Sequence, residues 1–164
     1  MTLAEKRRSI RSFTAEPVSQ EDISALMEAA VLSPSAMNEQ PWFFVLITRS
    51  DIIHQIEALH EPAGDCHEAP LLWIGFAGNE GIAPDTDTVL ALSSVMYACT
   101  ERGLGSCWIG FVQEVMNCPA YRKLSTALGV PEGFHCAGAL AIGHPSEKKE
   151  VPEDRRRDVF SIIS

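Results

Sequence analysis

With 164 residues, 46% of them hydrophobic, the chain has the size and apolar content of one core, and residues 1–164 are read as a single domain. Its net charge of -9, from 13 cations against 22 anions, argues against a nucleic-acid binder, whose affinity comes from neutralising phosphates. The start, Met1-Thr2-Leu3-Ala4-Glu5-Lys6, lacks the apolar run of a secretory leader, and no stretch approaches a membrane span, so a cytoplasmic protein with no membrane partner is expected.

In chain order, residues 2 to 8 are expected as a short opening helix that presents Arg7 and Arg8 at its end. Ser19-Gln20-Glu21-Asp22 is a capping-box-like start to a helix with the stripe Ile23, Leu26, Met27, Ala30 and Val31, ending before Pro34. Residues 34 to 42 follow as a loop. The run from Trp42 to Thr48 reads as a buried strand, Ser50 and Asp51 open a helix to about Leu59, and Leu71 to Ala77 is a second strand. A polar turn over 79 to 87 leads into a largely buried helix from about Thr86 to Arg102, with Gly103 as its stop. Ser106 to Phe111 reads as a third strand, Pro119 to Leu128 as a helix closed by Gly129, and Phe134 to Gly143 as a fourth strand. Strands interleaved with helices give an α+β or α/β class.

Nine of the 13 cations lie at the two ends: Lys6, Arg7, Arg8 and Arg11, then Lys148, Lys149 and Arg155 to Arg157. The Lys148-Lys149 pair reads as a solvated tail. The arginine clusters adjoin Ile10 and Phe13 at one end and Val159, Phe160, Ile162 and Ile163 at the other, which should fix them to the body. Five cysteines (Cys66, Cys99, Cys107, Cys118, Cys136) at irregular spacing, without a C-x-x-C pair, indicate neither a disulfide framework nor a zinc or iron-sulfur site. Gly103-Leu104-Gly105-Ser106 follows a helix and precedes a strand, the wrong context for a Rossmann turn, and no G-x-x-x-x-G-K-[ST] loop occurs. Trp42, Trp73 and Trp108 sit in apolar runs and read as core. Trp108, flanked by Gly105 and Gly110, has the best functional claim, because glycines let a flat ligand approach the backbone.

Four segments in this order, Arg7-Arg8-Ser9-Ile10-Arg11-Ser12-Phe13, Pro34-Ser35-Ala36-Met37-Asn38-Glu39-Gln40-Pro41-Trp42, Gly103 to Gly110 and the terminal arginines, together resemble the FMN-dependent nitroreductase family over essentially the whole chain. The resemblance implies an α+β domain with a mostly antiparallel central sheet flanked by helices, built as an intertwined homodimer with FMN at each subunit interface. It assigns Arg7, Arg8 and Ser9 to the FMN phosphate and ribityl chain, and Arg11 to the polar edge of the ring. It places Pro34, Ser35, Ala36 and Asn38 against the ring from the partner subunit, Trp108, Ile109 and Gly110 near its N5 edge, and Arg155 and Arg157 at the phosphate. No catalytic acid or base of the protein's own is implied. The expected activity is a ping-pong transfer of hydride from NADH or NADPH through FMN to a small electrophilic acceptor such as a nitroaromatic or quinone.

A phosphate monoester in a protein of this net charge needs several cations drawn together by the fold, and both ends supply them. The stretch from Trp42 to Gly103 is shorter than in typical members, which leaves an FMN-binding carrier or sensor without turnover as an alternative. A transferase using Cys66 beside a histidine is a more distant one.

Overall fold

The computed structural model describes residues 2–151, 155–156 and 158–163. Strands β1 (Trp42–Ile47), β2 (Leu71–Gly78), β3 (Gly105–Trp108) and β4 (Phe134–Gly143) form one sheet in the order β1-β2-β4-β3, with every neighbouring pair antiparallel. This is the mostly antiparallel α+β sheet expected from the sequence.

All eight residues of β2 are buried, because helices cover both faces of the sheet. Side chains alternate along a strand, so Leu72 and Ile74 join one apolar cluster with Ile53 and Ile56 of α3 (Ser50–Ala58) and Val112 and Val115 of α5 (Gly110–Asn117). Leu71 and Trp73 join the other, with Leu26 and Ala30 of α2 (Gln20–Val31) and Leu92 and Val95 of α4 (Pro84–Glu101). Each fully buried large side chain contributes about 1.5–3 kcal/mol. The sheet is thus the middle of three layers. Gly75 and Gly138 stand opposite each other in it, and a Cβ on Gly75 would lie 3.0 Å from Leu92 Cδ1, so the pair lets α4 close onto the sheet.

The helix ends follow local chemistry. Ser19 Oγ accepts from the Asp22 N–H at 3.0 Å and donates to the Asp22 carboxylate at 2.6 Å, capping α2. Pro84 opens α4, and Gly103, at φ +75, closes it while the Leu104 N–H donates to Cys99 O at 2.8 Å. Arg102, at the end of α4, holds the start of α2 through Asp22 at 2.5 Å and Glu21 at 3.1 Å.

Three expectations are corrected. The opening helix, α1, covers only Leu3–Lys6, and Arg7 is already extended at its C-cap. The third strand stops at Trp108; Gly110 and Phe111 belong to α5, whose buried Val112, Val115 and Met116 lie on one helical face. Pro119–Tyr121 is a 3-10 turn, and only Arg122–Ala127, α6, is α-helical in the expected 119 to 128 segment. No helix among the described residues is long and apolar enough to cross a membrane.

Candidate functional site

After α1 the chain extends and lies along the free edge of β3. Ser9 forms a parallel bridge with Ser106, and the Ile10 N–H donates to Ser106 O at 3.0 Å. Gly105 is needed for this contact, since a Cβ there would come within 2.8 Å of Ile10 Cβ. The next residues are clipped to the segment that leaves β4. Phe13 bridges Pro145, the Ser12 and Ser146 hydroxyls are 2.6 Å apart, and the Arg11 N–H donates to Glu147 Oε1 at 2.6 Å. That bond, with Lys149 Nζ at 3.2 Å, holds the Glu147 carboxyl below the usual carboxylate range. Burial raises the Cys107 thiol, and Arg11, Lys149 and Arg7 are near enough to oppose the rise. Arg7 and Arg11 from one end and Lys149 from the other therefore gather near Cys107 of β3.

Arg8 departs from its neighbours. Its Nε donates to Arg7 O at 2.7 Å and its guanidinium reaches Ala4 O at 3.5 Å, at the end of α1. With Lys6, Lys148 and Lys149 it lines a cleft of about 330 Å³, a cleft that Arg7, Ser9 and Arg11 do not line. Lys148 and Lys149 are both exposed, as expected of a solvated pair, and share the rim of this cleft with Glu147 and Glu150. Arg155 is exposed, and Arg157 lies outside the described residues. The apolar residues expected to pin that cluster are themselves exposed, from 53% at Val159 to 96% at Ile163, so these side chains do not fasten it to the body.

At the far end of β3 the three ring-facing candidates differ in kind. Trp108 is 36% exposed, Ile109 is buried and donates its N–H to Ala139 O at 2.9 Å, and Gly110 is exposed at the first turn of α5. A side chain built on Gly110 would meet nothing within 4 Å, so the backbone there is open to a flat ligand. The gathered cations, the Ser9 hydroxyl and this open backbone fit a phosphorylated, flat cofactor such as FMN.

The 34 to 38 loop is elsewhere. Ala36–Asn38 forms a 3-10 turn beside the first turn of α4, whereas Lys6 and Arg8 share their cleft with Thr100 and Gly103 at its other end. A rise of 1.5 Å per residue puts those ends about 20 Å apart. One chain thus does not bring the two motifs together. The loop backbone is unusual: Met37, Asn38 and Gln40 have φ of 50, 58 and 51. For residues other than glycine this costs of order 1 kcal/mol or more each, least for Asn38. Two carboxylates brace it. Asp87 Oδ2 accepts from the Ala36 N–H at 3.0 Å, and Glu39 Oε2 accepts from the Ile82 N–H at 2.8 Å. Sequence reading missed Asp87 and Glu147, which belong to no motif, and gave Glu39, inside the 34 to 42 motif, no role.

The buried cysteines are held as thiols. Cys66 is fully buried, and desolvation, followed by the neighbouring Glu57, drives its thiol far up. Burial likewise pushes Cys99 and Cys136 up to about 12. No group of three metal-ligating side chains occurs among the described residues.

Comparison with known proteins identifies the family and the fold. The sequence model of the "Nitroreductase family" matches residues 4–70 and 77–144. A protein of Archaeoglobus fulgidus named "Putative NADH dehydrogenase/NAD(P)H nitroreductase" is 27% identical, with 90% of this chain and 86% of that one covered. An iodotyrosine deiodinase of Danio rerio is 37% identical over 99% of this chain and 65% of its own. The crystal structure of a nitroreductase with bound FMN from Bacteroides fragilis superposes with a TM-score of 0.86 at 23% identity, covering 99% of this chain and 97% of that one, a likeness of fold. With the family match running through the N-terminal arm, the 34 to 42 loop and the β3 edge alike, the chain belongs to the nitroreductase family.

Proposed function

We propose that the protein is an FMN-dependent oxidoreductase that draws electrons from NADH or NADPH and reduces a small electrophilic acceptor, a nitroaromatic or a quinone. The observation that carries this reading is the convergence of Arg7, Ser9 and Arg11 on the edge of β3, the strand that leads through Ile109 to the open backbone of Gly110 at the start of α5. Bound FMN would supply two-electron chemistry between a reduced nicotinamide and the acceptor. The protein's part is to hold and tune. Arg7, with Arg155 and Arg157 brought in from the other end, would neutralise the phosphate, Ser9 would bond the ribityl chain, and the Arg11 guanidinium would favour negative charge at the polar edge of the ring. Arg8, whose guanidinium donates to Arg7 O and Ala4 O, would bring its remaining N–H groups to the phosphate.

We place the working unit as a homodimer in the cytoplasm. The separation of the 34 to 38 loop from the N-terminal arm supports a site completed by a second copy. So does the apolar surface left on the packed pair α2 and α4, where Met27, Val31, Leu32, Val89, Leu90 and Tyr97 are each 37% exposed or more. The exposed tail from Val159 to Ile163 is of the same kind.

The name of the Archaeoglobus fulgidus relative supports a nicotinamide donor, and that of the Danio rerio relative a different acceptor on a related chain. The protein as purified should be yellow, and anaerobic NADH or NADPH should bleach its flavin bands, with reoxidation by a panel of nitroaromatics, quinones and a halogenated phenol identifying the acceptor. A colourless protein that takes up no added FMN would refute the reading. Tight FMN binding without bleaching by any donor would favour a carrier or sensor.

A further inference from the structure

The 34 to 41 loop is shaped by bonds of two kinds. Three are internal: the Asn38 N–H to Ser35 O at 3.1 Å, the Glu39 N–H to Ala36 O at 3.0 Å and the Gln40 N–H to Ser35 Oγ at 3.1 Å. These define the turn but not where it stands. Its place is set from outside: at the far end by the Gly78 N–H on Pro41 O and the Ile82 N–H on the Glu39 carboxylate, each at 2.8 Å, and at the Ser35-Ala36 end by the Asp87 carboxylate on the Ala36 N–H.

Asp87 is 3% exposed, and no ion pair is seen for it among the described residues. Burying a carboxylate is unfavourable unless hydrogen bonds compensate, and an apolar residue would serve packing better. The group is tolerated where it is because the first turn of α4 presents free N–H groups and the positive end of the helix. That turn is itself fixed to the sheet. Asp85 Oδ1 lies 2.8 Å from His135 Nε2, and His135 Nδ1 lies 2.9 Å from Asn79 Oδ1. A rigid platform therefore carries a buried acceptor aimed at one backbone donor of a loop whose dihedral angles its residues would not adopt unaided.

We propose that Asp87 is a positioning residue that holds Ser35, Ala36 and Asn38 in the shape in which they face the flavin. The proposal rests on reading this loop as a wall of the FMN site. It separates Asp87 from a packing residue by its acceptor atom alone, which dictates the choice of variants. Asp87→Asn keeps a side-chain oxygen for the Ala36 N–H. Asp87→Leu fills the same buried space without one.

The test measures amide hydrogen exchange in the FMN-free full chain and the FMN dissociation constant from quenching of flavin fluorescence. Asp87→Leu should speed exchange over residues 35 to 40 by tenfold or more, leave β2 and β4 unchanged, and weaken FMN binding about tenfold; Asp87→Asn should restore most of both. Unchanged exchange over 35 to 40 in Asp87→Leu, or a rise spread evenly through the chain, would overturn the anchor. A loosened loop with wild-type FMN affinity would overturn its link to the flavin. Wild-type protein that bound no FMN would defeat the flavin reading instead, while local loosening in Asp87→Leu would still uphold the anchor.

Discussion

The indole of Trp108 rests on Gly138: a methyl group at Gly138 would come within 2.3 Å of both Cζ2 and Cη2 of that ring. Trp108 ends β3 opposite Leu140, so its side chain crosses to the neighbouring strand on the face covered by α4. The absent side chain at Gly138 thus sets how Trp108 presents itself beside Gly110.

Gly138→Ala should force the indole outward and lower stability by about 1–3 kcal/mol, the usual cost of overpacking. Chemical denaturation checks the loss, and a red shift of tryptophan emission checks the displacement. Adding Trp108→Ala to the same chain should recover part of the stability, since the clash is between these two groups.

Arg11→Ala should weaken FMN binding about 10- to 100-fold, the range for losing a hydrogen bond to a charged group, and make the bound flavin harder to reduce. Flavin fluorescence titration and a redox titration read the two effects. The Arg11 N–H bond to Glu147 belongs to the backbone and survives the substitution, so the unfolding midpoint should barely move.

Asp22 is held below its ordinary value of 3.8, first by the Ser19 hydroxyl and then by Arg102. A depressed carboxyl adds stability above its unfolded value and loses it as the pH falls through the lower folded value. The melting temperature should therefore fall as the pH drops below about 4, and Asp22→Asn should flatten that part of the profile while lowering stability at neutral pH. Equal acid profiles for the two proteins would remove Asp22 from the account.

Of the five thiols only Cys118 is more than slightly accessible, and burial raises Cys66, Cys99, Cys107 and Cys136. A chromogenic disulfide reagent should titrate one thiol per native chain quickly and five after denaturation. Activity that survives this labelling, and survives Cys66→Ala, would dispose of cysteine-based transfer.

Much of this was legible because the signals are local. The apolar runs of β2 and β4, the Ser19 cap and the Gly103 stop each act within a few residues. Helix α5 was not, because Trp108 to Val112 reads as a β-rich run; the spacing of Val112, Val115 and Met116 was the signal that could have revealed it. The two arginine-bearing motifs were found, yet the turning of Arg8 away from Arg7 and Arg11 depends on the close of α1. Asp87 lies 51 residues from Ala36, and a single carboxylate in a helix carries no mark of its distant partner.

The N-terminal arm has a second consequence. β3 is an edge strand of only four residues, and Ser9 and Ile10 occupy its outer side. An unpaired edge is a template for joining another chain, so the arm acts as a guard against aggregation as well as a carrier of arginines. Trimming it to probe the arginines would open that edge, and the trimmed protein should be lost to precipitation before its cofactor affinity could be read. Single substitutions that leave Ser9 and Ile10 in place keep the two duties apart.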